Sequence, residues 1–188
     1  FSQYYSSEIP RNKEKKPAAV KLKGEKLVHS DMDITEVILN VKETLAKARS
    51  YGVSITILLT AMLLCSIQEE IPRNRQKKPV TLMIPVNLRN YFPSQSMGNF
   101  FGWIEVGYVF EEDTSFEEVL SSVKQQFQEQ LQKDRIAMNM NGYVRIEKNP
   151  FVRAVPLEIK KFFLMAGANL GSRSITAVYS NIGIIRLP

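Results

Sequence analysis

Only a few side chains in this sequence are of the kinds that carry out reactions. His29, in LVHSDMD, is the single histidine. With Asp31 or Asp33 it has the makings of a base oriented by a carboxylate. The same stretch reads more simply as a polar loop ahead of a helix, and that reading is preferred. Arg89 lies in PVNLRNYFPSQSMGNFFGW (85–103), a turn-rich polar segment between two apolar runs. Its guanidinium either aims into a site or sits in solvent on a plain Asn90-Tyr91-Phe92-Pro93 turn, and the sequence leaves both open. One cysteine and one histidine make no credible metal site. Neither GxGxxG nor GxxxxGK occurs, so no phosphate-binding glycine loop is present. By its residues alone the chain carries no catalytic constellation.

The elements that would hold such residues can be read from periodicity. AAVKLKG (18–24) fits a short strand, and residues 1–16 a linker or extended arm. In DMDITEVILNVKETLAKARSYG (31–52), Asp33 and Glu36 have capping-box spacing. Ile34, Val37, Ile38, Val41 and Leu45 recur at helical spacing behind them, and Gly52 closes the helix. SITILLTAMLLCSIQEE (54–70) is apolar on most sides, as a buried helix would be, and Pro72 ends it. PVTLMIPVNL (79–88) is a strand whose Pro85 belongs at an edge or bulge.

NFFGWIEVGYVF (99–110) alternates as a strand with Phe100, Ile104, Val106, Tyr108 and Phe110 on one face. Phe100, Phe101 and Trp103 fit ordinary core packing better than the lining of a site. Ser115 with Glu118 forms a second capping box ahead of the stripe Phe116, Val119, Leu120, Val123, Phe127 and Leu131. Residues 134–155 look irregular. PLEIKKFFLMAG (156–167) reads as a helix ending at glycine, and SITAVYSNIGIIRLP (174–188) as a strand followed by a turn at Asn181-Ile182-Gly183. Met62, Met83 and Met165 read as fillers of core gaps. Together these predict an α/β class with an open mixed sheet and helices packed on it.

At 188 residues, with 44% apolar and 23% charged content, the chain supports one domain with a sizeable core. The apolar run at 55–67 is too short and too rich in Thr and Ser to span a bilayer. A lone Cys65 excludes an internal disulfide and fits a reducing, cytoplasmic setting. The net charge of +6 draws on RNKEKK (11–16) and RNRQKK (73–78). Without aromatic platforms beside them, solvated loops are the preferred reading over a nucleic-acid surface. The chain opens on Phe1 and stops at Pro188 directly after an apolar run, so it reads as an internal piece of a longer protein.

Two stretches resemble a known group of enzymes. RNYFPSQSMGNFFG (89–102) is similar to the condensation-domain segment in which an arginine-asparagine pair precedes a loop and a Gly-Phe-Phe strand. SITAVYSNIGIIRLP resembles the Ser-Asn-x-Gly strand end of alcohol-acetyltransferase-like proteins. EKNPFVRAVPLEIK (147–160) and AKARSYGVSITILLTAML (46–63) fit the same proteins in the same order. The chain therefore resembles the chloramphenicol-acetyltransferase-like superfamily, over roughly residues 18–188.

That resemblance implies two similar α/β halves facing each other across a tunnel. The catalytic histidine would lie in an HHxxxDG motif that ends the first half. No HHxxxDG occurs here, so residues 17–188 would be the C-terminal half-domain, truncated at both ends and inactive by itself. Its partners would be the missing N-terminal half, an acyl thioester and an alcohol or amine acceptor. Coenzyme A thioester or carrier-protein phosphopantetheine would serve as co-substrate rather than as a tightly bound cofactor. An unburied docking face would promote self-association of the fragment.

The resemblance also gives two residues roles. Ser180 is the candidate donor to the oxyanion, against the competing reading of a turn-capping serine beside the turn residue Asn181. Arg89 is the candidate partner of the HHxxxDG aspartate. The cofactor-binding residues stay unassigned, with the Lys and Arg of 73–78 a weaker candidate for cofactor phosphates. A non-catalytic condensation-like domain that recruits a carrier protein is the alternative to catalysis, and a basic nucleic-acid module is a distant third.

Overall fold

The computed structural model describes residues 4–6, 8–9, 16–22, 24, 33–72, 77–95, 97–150, 155–156, 161, 165, 167 and 169–183, and the structural statements below concern these. Helix α1 spans Val41–Ser50 and α2 spans Ile55–Glu69; strand β1 follows at Val80–Asn87 and β2 at Phe101–Tyr108. Helices α3 (Phe116–Gln130) and α4 (Lys133–Lys148) precede a two-residue strand β3, Ala177–Val178. The sheet order is β2-β1-β3, antiparallel on one side of β1 and parallel on the other. This is the open mixed sheet with packed helices that the patterning predicts.

Alternation decides the core. Val80, Leu82 and Ile84 of β1 and Ile104 and Val106 of β2 share one sheet face. They are buried with Leu58, Ala61, Leu64 and Ile67 of α2 and Val119, Leu120, Val123 and Phe127 of α3. Burying each large aliphatic side chain contributes about 1.5–3 kcal/mol. The capping box at Ser115 and Glu118 forms as expected: Glu118 N–H donates to the serine hydroxyl at 3.3 Å and Ser115 N–H to the glutamate carboxylate at 3.0 Å.

Several expectations give way. The helix expected across 31–52 begins only at Val41, and no capping box forms at Asp33 and Glu36. Asn40 caps instead, its carbonyl oxygen accepting from Lys42 N–H at 3.0 Å and Glu43 N–H at 3.4 Å. Ile34 and Val37 stand open to solvent and Ile38 is 99% exposed. An apolar stripe stabilises a helix only where a surface receives it, and none of the described elements does. Gly52 behaves as predicted, closing α1 at φ +65 with its N–H bonded to Arg49 C=O at 2.9 Å.

The described residues of 18–24 form no strand. Ala19 N–H reaches Arg173 C=O and Val20 N–H reaches Pro79 C=O, each at 2.9 Å, so successive amides serve two different segments rather than one ladder. Residues 134–155 are not irregular through their first part, which is α4. Its inward row of Ile136, Met140 and Val144 is interrupted by Asn141, a 1% exposed amide. Asn141 Nδ2 donates to Ser6 C=O at 3.0 Å and its Oδ1 accepts from Ser6 N–H at 3.3 Å. A buried polar residue whose amide is satisfied by a distant backbone group hides the helical period.

Residues beyond α4 lie partly outside the description. Helical conformation recurs at Lys161, Met165, Gly167 and Asn169 to Ser172, so the expected stop at Gly167 is overrun. The expected strand 174–188 reduces to β3, and residues 184–188 lie outside the described residues. Met62 and Met165 are 48% and 68% exposed rather than core fillers; for Met62 the reason is that α2 buries only the side that faces the sheet and α3. No single helix among the described residues is long and apolar enough to cross a membrane.

Candidate functional site

The cleft that matters opens where β1 and β3 part. They pair at Leu82↔Ala177 and Met83↔Val178, and Tyr179 N–H reaches Met83 C=O at 3.0 Å. Thr81 and Met83 present their backbone groups to β3, so residue 85 carries the next donor on that side. Residue 85 is proline and has no N–H. The ladder stops there, and a central strand becomes an edge beyond Met83, which satisfies the expectation for Pro85 in an unforeseen way. Crevices beyond the carboxyl ends of adjacent parallel strands are common ligand sites.

An open cleft of about 330 Å³ fills this gap, and Arg89 and Ser180 both line it, with Asn87, Asn99, Phe101 and Asn181. Arg89 arrives there through local chemistry. Asn87 at the end of β1 accepts from Arg89 N–H at 3.0 Å through its side chain, which starts a single tight turn at Leu88–Asn90. Buried Leu88 anchors that turn. Its amide bonds to Phe100 C=O at 3.2 Å and its carbonyl accepts from Phe92 N–H at 2.8 Å.

The Arg89 guanidinium then reaches across the loop. Nη2 donates to Gly98 C=O at 2.9 Å, and Cζ lies 5.9 Å from the centre of the Phe100 ring. Phe100 itself is buried among Leu88, Phe92, Ile136 and Met140, with the Tyr4 ring packed against the group. Arg89 is therefore an exposed side chain, held in a defined place at the cleft wall rather than loose in solvent.

Ser180 enters from the other side. It is exposed, and its hydroxyl makes no hydrogen bond among the described residues. The turn reading holds for Asn181, not for Ser180: Asn181 Oδ1 accepts from Gly183 N–H at 2.9 Å, and Gly183 takes φ +78. Asn181 Nδ2 donates to Thr56 Oγ1 at 2.9 Å in the first turn of α2.

Phe101 is 49% exposed on the cleft rim. Phe101 also borders a smaller apolar hollow, which Trp103 lines with Val86, Leu88, Ile136 and Met140. His29, Asp31 and the arginines of 73–78 lie outside the described residues. No group of three or more His, Cys, Asp or Glu suited to a metal occurs among the described residues. Burial first, and then the Glu69 carboxylate, push the Cys65 thiol pKa up, away from the reactive thiolate. Burial likewise raises the Tyr179 phenol, which packs against the main core rather than lining the cleft.

Sequence reading passed over Asn87 and Thr56. The motif PVNLR did carry a usable signal for the first, since an asparagine two residues before an arginine after a strand is an Asx-turn pattern. Nothing in the chain announces Thr56, which sits 125 residues from Asn181.

A family model described as phthiocerol/phthiodiolone dimycocerosyl transferase C-terminus matches residues 31–188. No curated protein and no solved structure matches the chain.

Proposed function

The chain belongs to the phthiocerol/phthiodiolone dimycocerosyl transferase C-terminus family, a condensation-domain-like acyltransferase family, and from that premise we propose that its cleft is the second-half contribution to acyl transfer from a thioester to an alcohol or amine. One observation carries the proposal: Arg89 and Ser180, far apart in sequence, line the same cleft at the carboxyl ends of β1 and β3.

The reaction requires little of this half. A histidine base, supplied by the first half, takes the proton of the acceptor O–H or N–H as that atom bonds to the thioester carbonyl carbon. The carbonyl oxygen becomes an oxyanion. When the carbonyl re-forms, the C–S bond breaks and the thiolate leaves with a proton from the histidine. Ser180 donates its hydroxyl hydrogen to the oxyanion, a contact worth about 3–4 kcal/mol of barrier where such donors have been removed. Arg89 acts at one remove: its planar fork pairs with the aspartate of the histidine loop and holds that loop in register. The thioester is coenzyme A or a carrier-protein pantetheine, and a cytoplasmic setting fits the lone thiol.

Exposed Ile34, Val37, Ile38 and Leu39 are consistent with a face that the first half covers. The test is turnover of the full-length protein with acetyl-coenzyme A and a medium-chain alcohol, read as free thiol release. Ser180→Ala should lower kcat by one hundredfold or so with little change in KM. Unchanged turnover in a folded variant would return Ser180 to an ordinary surface role. Acyl-carrier binding without any turnover would favour recruitment over catalysis.

A further inference from the structure

We infer that Thr56 is a positioning residue for the Ser180 strand end, acting through Asn181; the inference rests on the acyl-transfer reading above and goes further by naming what aims its donor. Where Pro85 ends the β1–β3 ladder, the chain at 180–183 loses the sheet as a support. Two contacts bracket the break. Tyr179 N–H is still tied to Met83 C=O at 3.0 Å, and Asn181 Nδ2 is tied to Thr56 Oγ1 at 2.9 Å. Ser180 is the residue between them.

Thr56 suits the task because of where it sits. It is half-buried in the first turn of α2, whose Leu58, Ala61 and Leu64 are locked in the core. The hydroxyl is not spent on capping, since Ser54 already accepts from Ile57 N–H at 3.3 Å. At the other end Asn181 has no freedom to turn over: its Oδ1 holds Gly183 N–H at 2.9 Å, which leaves Nδ2 to face Thr56. One amide thus joins a tight turn at φ +78 to a rigid helix. A hydroxyl that must meet an oxyanion at hydrogen-bond distance needs a fixed backbone, because a misplacement of about 1 Å can cost on the order of a hundredfold in rate.

The experiment uses the full-length protein with Thr56→Val, which keeps the shape and removes the acceptor, and Thr56→Ser, which keeps it. Two readouts are taken: amide exchange across 179–183 by mass spectrometry, and thiol release from acetyl-coenzyme A with an alcohol acceptor. Thr56→Val should speed exchange across 179–183 at least tenfold and lower kcat about tenfold at nearly constant KM. Thr56→Ser should restore both. Equal exchange in wild type and Thr56→Val overturns the inference, whatever the turnover. Faster exchange with unchanged kcat also overturns it, since the contact would then be structural only. If the wild-type protein releases no thiol, the acyl-transfer reading falls, and exchange alone decides whether Thr56 holds the strand end.

Discussion

Gln126 engages both backbone groups of Gly107 at once: its Oε1 accepts from Gly107 N–H at 3.0 Å and its Nε2 donates to Gly107 C=O at 2.8 Å. Gln130 does the same at Glu105, accepting from its N–H at 3.2 Å and donating to its carbonyl. The match is one of pitch. Four residues along a helix advance about 6 Å, and two along a strand about 6.8 Å. Two glutamine amides on α3 therefore stand where a neighbouring strand's peptide groups would, and they close the outer edge of β2.

Removing both amides should open that edge. We expect Gln126→Ala with Gln130→Ala to lower stability by about 1–3 kcal/mol, and to promote association through strand pairing at β2. Thermal unfolding and sedimentation velocity check the two parts. A double variant with wild-type stability and no added association would make the amides incidental.

Gly107 has a second constraint on its other side. A Cβ there would lie 2.6 Å from Thr81 Oγ1 and 3.1 Å from Val80 C=O, both on the paired strand. Gly107→Ala should therefore cost about 1–3 kcal/mol. Thr81→Ala removes the nearer obstacle, so the double variant should be less destabilised than the sum of the singles. Strict additivity in denaturant unfolding would refute the clash.

Arg89 separates its local and its proposed roles by context. In this chain alone, Arg89→Ala loses the bond to Gly98 C=O, and the expected cost is about 1 kcal/mol. In the full-length protein the loss should reach a few kcal/mol, because a buried aspartate would be left unpaired. Arg89→Lys should also lower turnover, since an ammonium cannot reproduce the fork. Equal small shifts of Tm in both contexts would confine Arg89 to clamping its own loop.

Cys65 gives a pH dependence whose sign follows from its raised thiol pKa. The folded chain holds this proton more tightly than the unfolded chain does. The associated stability is complete below the unfolded thiol pKa of about 8.5 and fades as pH climbs through the folded value. Alkylation by iodoacetamide near pH 8 should be slower in the native protein than in denaturant. Native labelling as fast as that of a free thiol would contradict it.

The amino-acid sequence alone was enough wherever a few adjacent residues settle the outcome. Ser115 and Glu118 lie one turn apart and cap each other, Gly52 can adopt positive φ, and the alternation of β1 and β2 declares which face is buried. The open α/β class was legible in the same way, whereas the acyltransferase superfamily was suggested only by the resemblance of four stretches to known proteins. Tertiary structure decided the rest, because there the competing choices are each locally acceptable. Asp33 and Asn40 are both good helix starters, and only the absence of a receiving surface for Ile34 to Ile38 among the described elements favours the later one. Asn141 looks like a helix breaker until Ser6 fills both ends of its amide. The cleft is the clearest case. Arg89 and Ser180 come to line one cleft, and Thr56 reaches its rim through Asn181, only in the folded chain, because a hydrogen bond spanning 125 residues leaves no trace in any local pattern.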